Sequence, residues 1–175
     1  MAIKPIFEAG PLISACKCAV GNRVVIDFLI PLVSITIPTA VYQEVAVAGS
    51  RYPDAAVARQ RVDAGSITVE TPQPNPDLAA VLALYRLGQG ETEAILLTAE
   101  KMAQGTTVML VVDDILAYVV CDRAKVNKLL FLDFLVMLTR EGLLGAEEAT
   151  DIVQSVQNRY PGPFVAHTLQ MLAKR

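Results

Sequence analysis

The sequence predicts an α/β fold, a three-layer α/β/α sandwich around a central parallel sheet, and three observations carry that reading. Short apolar runs at residues 3–7, 34–37, 66–70, 108–112 and 129–132 alternate with longer segments of helical character, the order that builds a parallel sheet with crossover helices. The run at 108–112 is apolar at every position, as in a strand buried on both faces. Hydrophobic residues make up 53% of the chain and mean hydropathy is +0.43, an excess that strands covered on both sides explain.

The elements follow in order. Residues 3–7 form a strand ending on Glu8, and a helix begins near Leu12 with Pro11 in its first turn, where a missing N–H costs little. Residues 24–32 read as a short helix stopped near Pro31, and 34–37 as a β-branched strand. Pro38 opens a helix over 39–48 that carries Glu44. A helix over 54–64 is closed by Gly65, a natural C-terminal stop, and a strand follows over 66–70. The proline-rich stretch 71–76 is a loop. Residues 78–87 form a helix closed by Gly88, and a second helix runs from Gly90 through Glu91 and Glu93 to about Gln104. The strand 108–112 leads into Asp113-Asp114 and a helix to about Arg123. Residues 129–132 form the last strand, Asp133 caps a helix over 134–141, and two amphipathic helices, about 146–158 and 164–173, are split by Pro161-Gly162-Pro163.

Composition narrows the classes. A length of 175 residues fits one domain, taken as residues 1–175. The apolar stretches are broken by Asp27, Pro31, Asp113 and Asp114, short of the ~20 residues that span a bilayer. The N-terminus lacks the pattern of a signal peptide, so a cytoplasmic protein is expected. Cys16, Cys18 and Cys121 do not match a zinc spacing and read as reduced thiols. Net charge is −3, which disfavours a purely electrostatic nucleic-acid binder. The apolar excess favours a homodimer. His167, the only histidine, reads as an ordinary, partly buried residue. Ser14 and Ser34 have no histidine partner and no nucleophile-elbow glycines, and Gly88-Gln89-Gly90 follows a helix, unlike a dinucleotide fingerprint.

Two strands end directly on carboxylates, Glu8 and Asp113-Asp114, and open parallel sheets place their sites outside the carboxyl ends of the strands. Carboxylates converging there supply oxygen ligands for hard cations such as Mg²⁺ or Mn²⁺, and a cation so held activates water and offsets charge on a phosphate. The candidates are Glu8, Glu44, Glu91 or Glu93, and Asp113 with Asp114. Each also has a plain structural role: Glu8, Asp113 and Asp114 as helix caps, Glu91 and Glu93 as acids in a helix first turn, Glu44 as a solvated helix residue. Residues two apart on a helix face different ways, so the choice between Glu91 and Glu93 stays open. Lys101, Arg123, Lys125, Lys128 and Arg140 are candidate phosphate contacts or solvated helix ends. A receiver-like signalling domain also ends a strand on paired aspartates, but its lysine and its mid-sheet aspartate have no convincing place in this chain.

The string Glu8-Ala9-Gly10-Pro11-Leu12-Ile13 resembles the opening motif of PIN domains, in which an aspartate ends the first strand before Thr-Ser-Pro-Leu-Ile. Pro38-Thr39-Ala40-Val41-Tyr42-Gln43-Glu44-Val45 resembles that family's second acidic motif. Gly90-Glu91-Thr92-Glu93-Ala94-Ile95 is similar to the Gly-Glu-Ala-Glu-Ala-Ile helix start of one PIN subgroup, and Val111-Val112-Asp113-Asp114 stands where that subgroup has its strand-ending pair. Arg140-Glu141-Gly142-Leu143-Leu144 has the subgroup's look as well. The motifs run in family order over residues 3–144, with two further helices over 145–175.

The resemblance implies a metal-dependent ribonuclease acting on single-stranded or structured RNA, often a dimeric toxin held by a small antitoxin protein. It makes Glu8, Glu44, Glu91 and Asp113 the catalytic metal ligands for Mg²⁺ or Mn²⁺, with Glu93 and Asp114 as accessory carboxylates. Two departures set this chain apart. Glu8 replaces the aspartate and is one methylene longer, a shift of about 1 Å where such displacements cost about a hundredfold in rate. Ala9-Gly10 replaces Thr-Ser and removes two supporting hydroxyls. A catalytically degenerate PIN fold serving as an RNA-binding or protein-interaction module is therefore the alternative expectation.

Overall fold

The computed structural model describes residues 4–174. Five strands, β1 (Lys4–Phe7), β4 (Ile35–Pro38), β5 (Ile67–Glu70), β6 (Val108–Val112) and β7 (Lys128–Leu130), form one sheet in the order β5-β4-β1-β6-β7. Every pairing in it is parallel. A two-stranded antiparallel hairpin, β2 (Ala19–Val20) with β3 (Arg23–Val24), stands apart. The helices are α1 (Ala9–Lys17), α2 (Ile26–Leu29), α3 (Thr39–Tyr42), α4 (Pro53–Asp63), α5 (Pro76–Leu82), α6 (Gln89–Ala103), α7 (Ile115–Arg123), α8 (Phe131–Arg140), α9 (Ala146–Val156) and α10 (Gly162–Ala173). A π-helical stretch, Gln43–Ala48, continues α3, and a 3₁₀ turn, Gln157–Arg159, ends α9.

Alternation along each strand divides the core in two. Phe7, Ile35, Ile37 and Val111 pack with α1, α4, α8 and α9 on one face. Ile6, Val108, Leu110 and Val112 pack with Ile95 and Leu97 of α6 and Val120 of α7 on the other. The sheet is thus buried on both sides and the molecule is the expected three-layer α/β/α sandwich. Phe7 anchors the first face, with its ring edge-on to Phe131 at 6.2 Å and to Phe134 at 5.6 Å.

The chain order fixes where a crevice opens. From β1 the chain steps to β4 and β5 on one side, then returns to place β6 and β7 on the other. The switch point lies between β1 and β6, and the carboxyl ends of that pair are where such sheets bind ligands. Glu8 follows β1 and Asp113 follows β6. The Glu8 N–H donates to Val111 O at 3.1 Å, so the two strand ends are tied together at the site.

Several local expectations need correction. Ile3, expected to begin the first strand, lies outside the described residues. Residues 24–32 are not one helix: Val24 belongs to the hairpin, which turns at Gly21 with φ +57°, and α2 is a single turn. Two-residue strands are too short to show alternation, so the hairpin left only the Gly21-Asn22 turn as a signal. The helix over 39–48 changes to π geometry at Gln43. The helix over 78–87 instead runs Pro76–Leu82, started by Asn75, whose side chain accepts from the Leu78 N–H. The strand over 129–132 ends at Leu130, and α8 begins at Phe131, so Asp133 lies in its first turn and is not its cap. Phe131 and Leu132 are buried through the helix and not through the sheet.

Candidate metal centre and its surroundings

Glu8 is 5% exposed, and its Oε2 accepts from the backbone N–H of Asp113 at 3.1 Å. Although Glu8 holds the N-cap position of α1, it makes no side-chain capping bond there and turns toward β6 instead. Burial is the main cause that raises its pKa from 4.5 to about 7. The Asp113 N–H opposes that shift, while the neighbouring carboxylates of Glu91 and Asp113 add to it. Gly10 eases the approach: a Cβ at residue 10 would stand 3.1 Å from Asp113 Cβ, close enough to push the strand end away by a few tenths of an ångström. The Ala9-Gly10 departure therefore has a steric reading, since the small residue lets α1 close onto the end of β6.

The Asp113 carboxylate is held from two sides. Its Oδ2 accepts from Tyr160 Oη at 2.6 Å and its Oδ1 from the Phe131 N–H at the start of α8, a longer contact of 3.4 Å. Burial pushes its pKa upward, against these hydrogen bonds and the charge of Arg159. The Tyr160 ring stacks on Phe131 at 6.3 Å. Ser14 joins the same network: its Oγ lies 2.7 Å from Arg159 Nε and 3.0 Å from Tyr160 Oη, and it donates to Gly10 O. With donors around it and no base, Ser14 is a scaffold hydroxyl and not a nucleophile. Burial pushes the Cys16 and Cys121 thiols up to about 12, which removes them as nucleophiles as well.

The remaining carboxylates divide. Glu91 Oε2 accepts from the Gly88 N–H at the start of α6, and its charge reaches Glu8. Glu93 faces the other way, with Oε2 accepting from the Ala40 N–H of α3 at 2.8 Å and Oε1 from Gln89. Glu44 sits on the π-helical stretch against Gly90, where a Cβ would come within 3.0 Å of Glu44 Oε2. Glu44 and Glu93 line a hollow of about 410 Å³ between α3 and α6. Asp114 caps α7 by accepting from the Ala117 N–H at 2.8 Å. The fold thus brings Glu8 against Asp113 with the Glu91 charge felt at Glu8, sets Glu44 with Glu93 beside Gly90, and turns Asp114 to structural use.

Among the described residues no three Asp, Glu, His or Cys side chains stand together as a ready metal cage. The donor chemistry nevertheless fits a hard cation. The Glu8 carboxylate accepts from the Asp113 backbone N–H, and the Asp113 charge acts on it. Both groups are partly desolvated, and Mg²⁺ is commonly held by one or two carboxylates while keeping several waters. The residues fit a hydrated ion on that pair, not a four-carboxylate cage.

The residues the sequence reading missed are Arg159 and Tyr160, which reach Ser14 across 145 and 146 positions. Their one local signal was the break at Pro161-Gly162-Pro163. Of the expected basic contacts, Lys128 pairs with Asp122 and Lys101 with Glu70. His167 is exposed, not partly buried, and faces Asp133.

Glu8 yields a pH prediction in metal-free buffer. Its folded pKa lies above its unfolded one, so between about 4.5 and 7 the native state holds the extra proton and stability falls as pH rises. Above pH 7 the cost amounts to roughly 3 kcal/mol. Glu8→Gln should leave stability near pH 4.5 little changed and raise it at pH 8 by up to that amount, read from urea unfolding. Equal effects at both pH values would contradict the buried carboxylate.

A family model described as a PIN domain matches residues 5–171. No curated protein and no solved structure is a match. Among the described residues no helix is long and apolar enough to cross a membrane.

Proposed function

Because the chain belongs to the PIN-domain family, a fold of nuclease type, we propose that it is a divalent-metal-dependent endoribonuclease working at the carboxyl ends of β1 and β6. The observation that carries this reading is the Glu8 carboxylate held on the Asp113 backbone N–H at the sheet's switch point, 105 positions away in sequence and within reach of the Asp113 charge. Mg²⁺ or Mn²⁺ on that pair supplies an activated water and a counter-charge for the phosphate. Glu8 and Asp113 hold the ion, and Glu91 strengthens the negative field that draws it in. Tyr160 and the Phe131 N–H fix the Asp113 carboxylate so that its orientation is set before substrate arrives. Arg159, the cation acting on Asp113, offsets phosphate charge beside the acidic pair. Glu44 and Glu93 serve as accessory carboxylates from the adjoining hollow. Single-stranded or structured RNA is the substrate class, with a homodimeric toxin paired with an antitoxin as the biological setting.

A second reading, a degenerate PIN fold that binds RNA or protein without cutting, is favoured by Glu91 and Glu93 being engaged with backbone N–H groups. One experiment separates the two. A labelled single-stranded RNA is incubated with the protein in EDTA, in Mg²⁺ and in Mn²⁺. Cleavage that appears only with the cation supports the nuclease. Intact RNA at millimolar Mn²⁺ leaves the degenerate reading.

A further inference from the structure

A cavity of about 340 Å³ opens beside Asp113, between α8, α10 and the start of α7. It is at the small end of the range for small-molecule sites, roughly 300–1,000 Å³. Its walls are mostly apolar, and its polar groups sit at particular places. Asp113 and Arg159 stand together in its lining, and Asp133 and His167 add a second polar pair from α8 and α10. Phe164 in the first turn of α10 is 45% exposed, an aromatic ring in the cavity wall left uncovered by the fold. Arg159 Nε is committed to Ser14, which aims the guanidinium while its remaining N–H groups make no hydrogen bond among the described residues.

We infer that this cavity seats one unstacked base of single-stranded RNA, next to the phosphate that lies on the acidic pair. Single-stranded RNA is recognised by stacking splayed bases on aromatic rings and by reading their Watson–Crick edges. Phe164 supplies the ring, and Arg159 meets the backbone phosphate between the cavity and the metal pair. The Asp133 carboxylate accepts only; it is exposed at the cavity, faces His167, and makes no hydrogen bond among the described residues. A carboxylate in that position is matched by a base edge with two adjacent donors, and guanine N1–H with N2–H₂ is that edge. The cavity therefore selects guanine beside the cut. The inference rests on the ribonuclease reading for its account of cutting, but its binding half stands separately.

The test is anisotropy with fluorescein-labelled octanucleotides in EDTA, so that binding is measured without cleavage. U₈ is compared with the same strand carrying one central guanine. Native protein should bind the guanine strand about tenfold more tightly. Phe164→Ala should weaken binding of that strand by about tenfold or more. Ile115→Trp narrows the cavity mouth from α7 at an exposed position, and the same loss is expected from it without removal of the ring. Asp133→Asn should level the two strands, while Arg159→Gln should weaken both alike and lower the salt dependence by about one phosphate contact. Unchanged binding in both Phe164→Ala and Ile115→Trp would overturn the base pocket. Native protein that binds with this pattern yet fails to cut in Mn²⁺ would refute the nuclease and leave the pocket standing. Metal-dependent cutting with no effect of Phe164→Ala on binding would do the reverse.

Discussion

Asp113→Asn is expected to lower metal-dependent RNA cleavage on the order of 10²–10³-fold, the scale of losing one electrostatic group from a preorganised site. The substitution removes the charge of one of the two paired carboxylates and keeps the shape. Asn can still accept from the Phe131 N–H, and its amide can donate to Tyr160 Oη in place of the bond that hydroxyl now gives. Burial already disfavours the Asp113 anion, so its neutral replacement should melt no lower than native protein. Lost cleavage with an unchanged or raised Tm is therefore the signature of a group kept for chemistry. A Tm drop that accompanies the loss would instead make Asp113 part of the framework. Stability is read by calorimetry and cleavage by gel, on the same preparation.

Phe7→Ala is expected to cost about 3–5 kcal/mol, the range for truncating a buried aromatic residue. Phe7 is fully buried and makes edge-to-face contacts with two rings of α8, which adds to the loss. At this chain length 1 kcal/mol corresponds to roughly 2–4 °C, so Tm should fall by about 10 °C. The effect reaches the site because Phe7 immediately precedes Glu8 and because Phe131, one of its partners, stacks on Tyr160 and donates its N–H to Asp113. A loss below about 1 kcal/mol would mean that α8 is not seated on β1 as described.

The sheet and its acidic switch point were legible because they depend on local pattern. The uninterrupted run of β6 followed by Asp113-Asp114, and the short run ending on Glu8, mark strand ends with carboxylates wherever the strands lie in space. Their adjacency follows once a parallel sheet is assumed. The choice between Glu91 and Glu93 was not legible, since periodicity says only that they diverge. Packing of α6 between α3 and the end of β1 sends Glu93 to the Ala40 N–H and leaves Glu91 near Glu8. Asp133 was misplaced for a related reason. The last strand passes straight into α8, and one of the free N–H groups at the helix start, that of Phe131, is met by Asp113 from the end of β6.

Arg159 and Tyr160 were beyond reach of pattern altogether. They sit at the 3₁₀ end of α9, in a segment that reads only as a helix stop, and their partners Ser14 and Asp113 lie near the far end of the chain and just past β6. The departure at Ala9-Gly10 also changes meaning in three dimensions. Absent hydroxyls looked like a lost support, yet Tyr160 and the Phe131 N–H hold Asp113 from elsewhere, and Gly10 is the residue whose missing Cβ leaves room for the Asp113 side chain.

The most direct test of the account is Mn²⁺ titration by calorimetry, on native protein and on Glu8→Gln. The account predicts saturable binding to the native chain, accompanied near pH 7 by proton release as the cation displaces the proton that burial holds on Glu8, and binding lost or at least tenfold weaker in the variant. Equal binding by the two proteins, or none by native protein at millimolar Mn²⁺, would contradict a metal centre at the ends of β1 and β6.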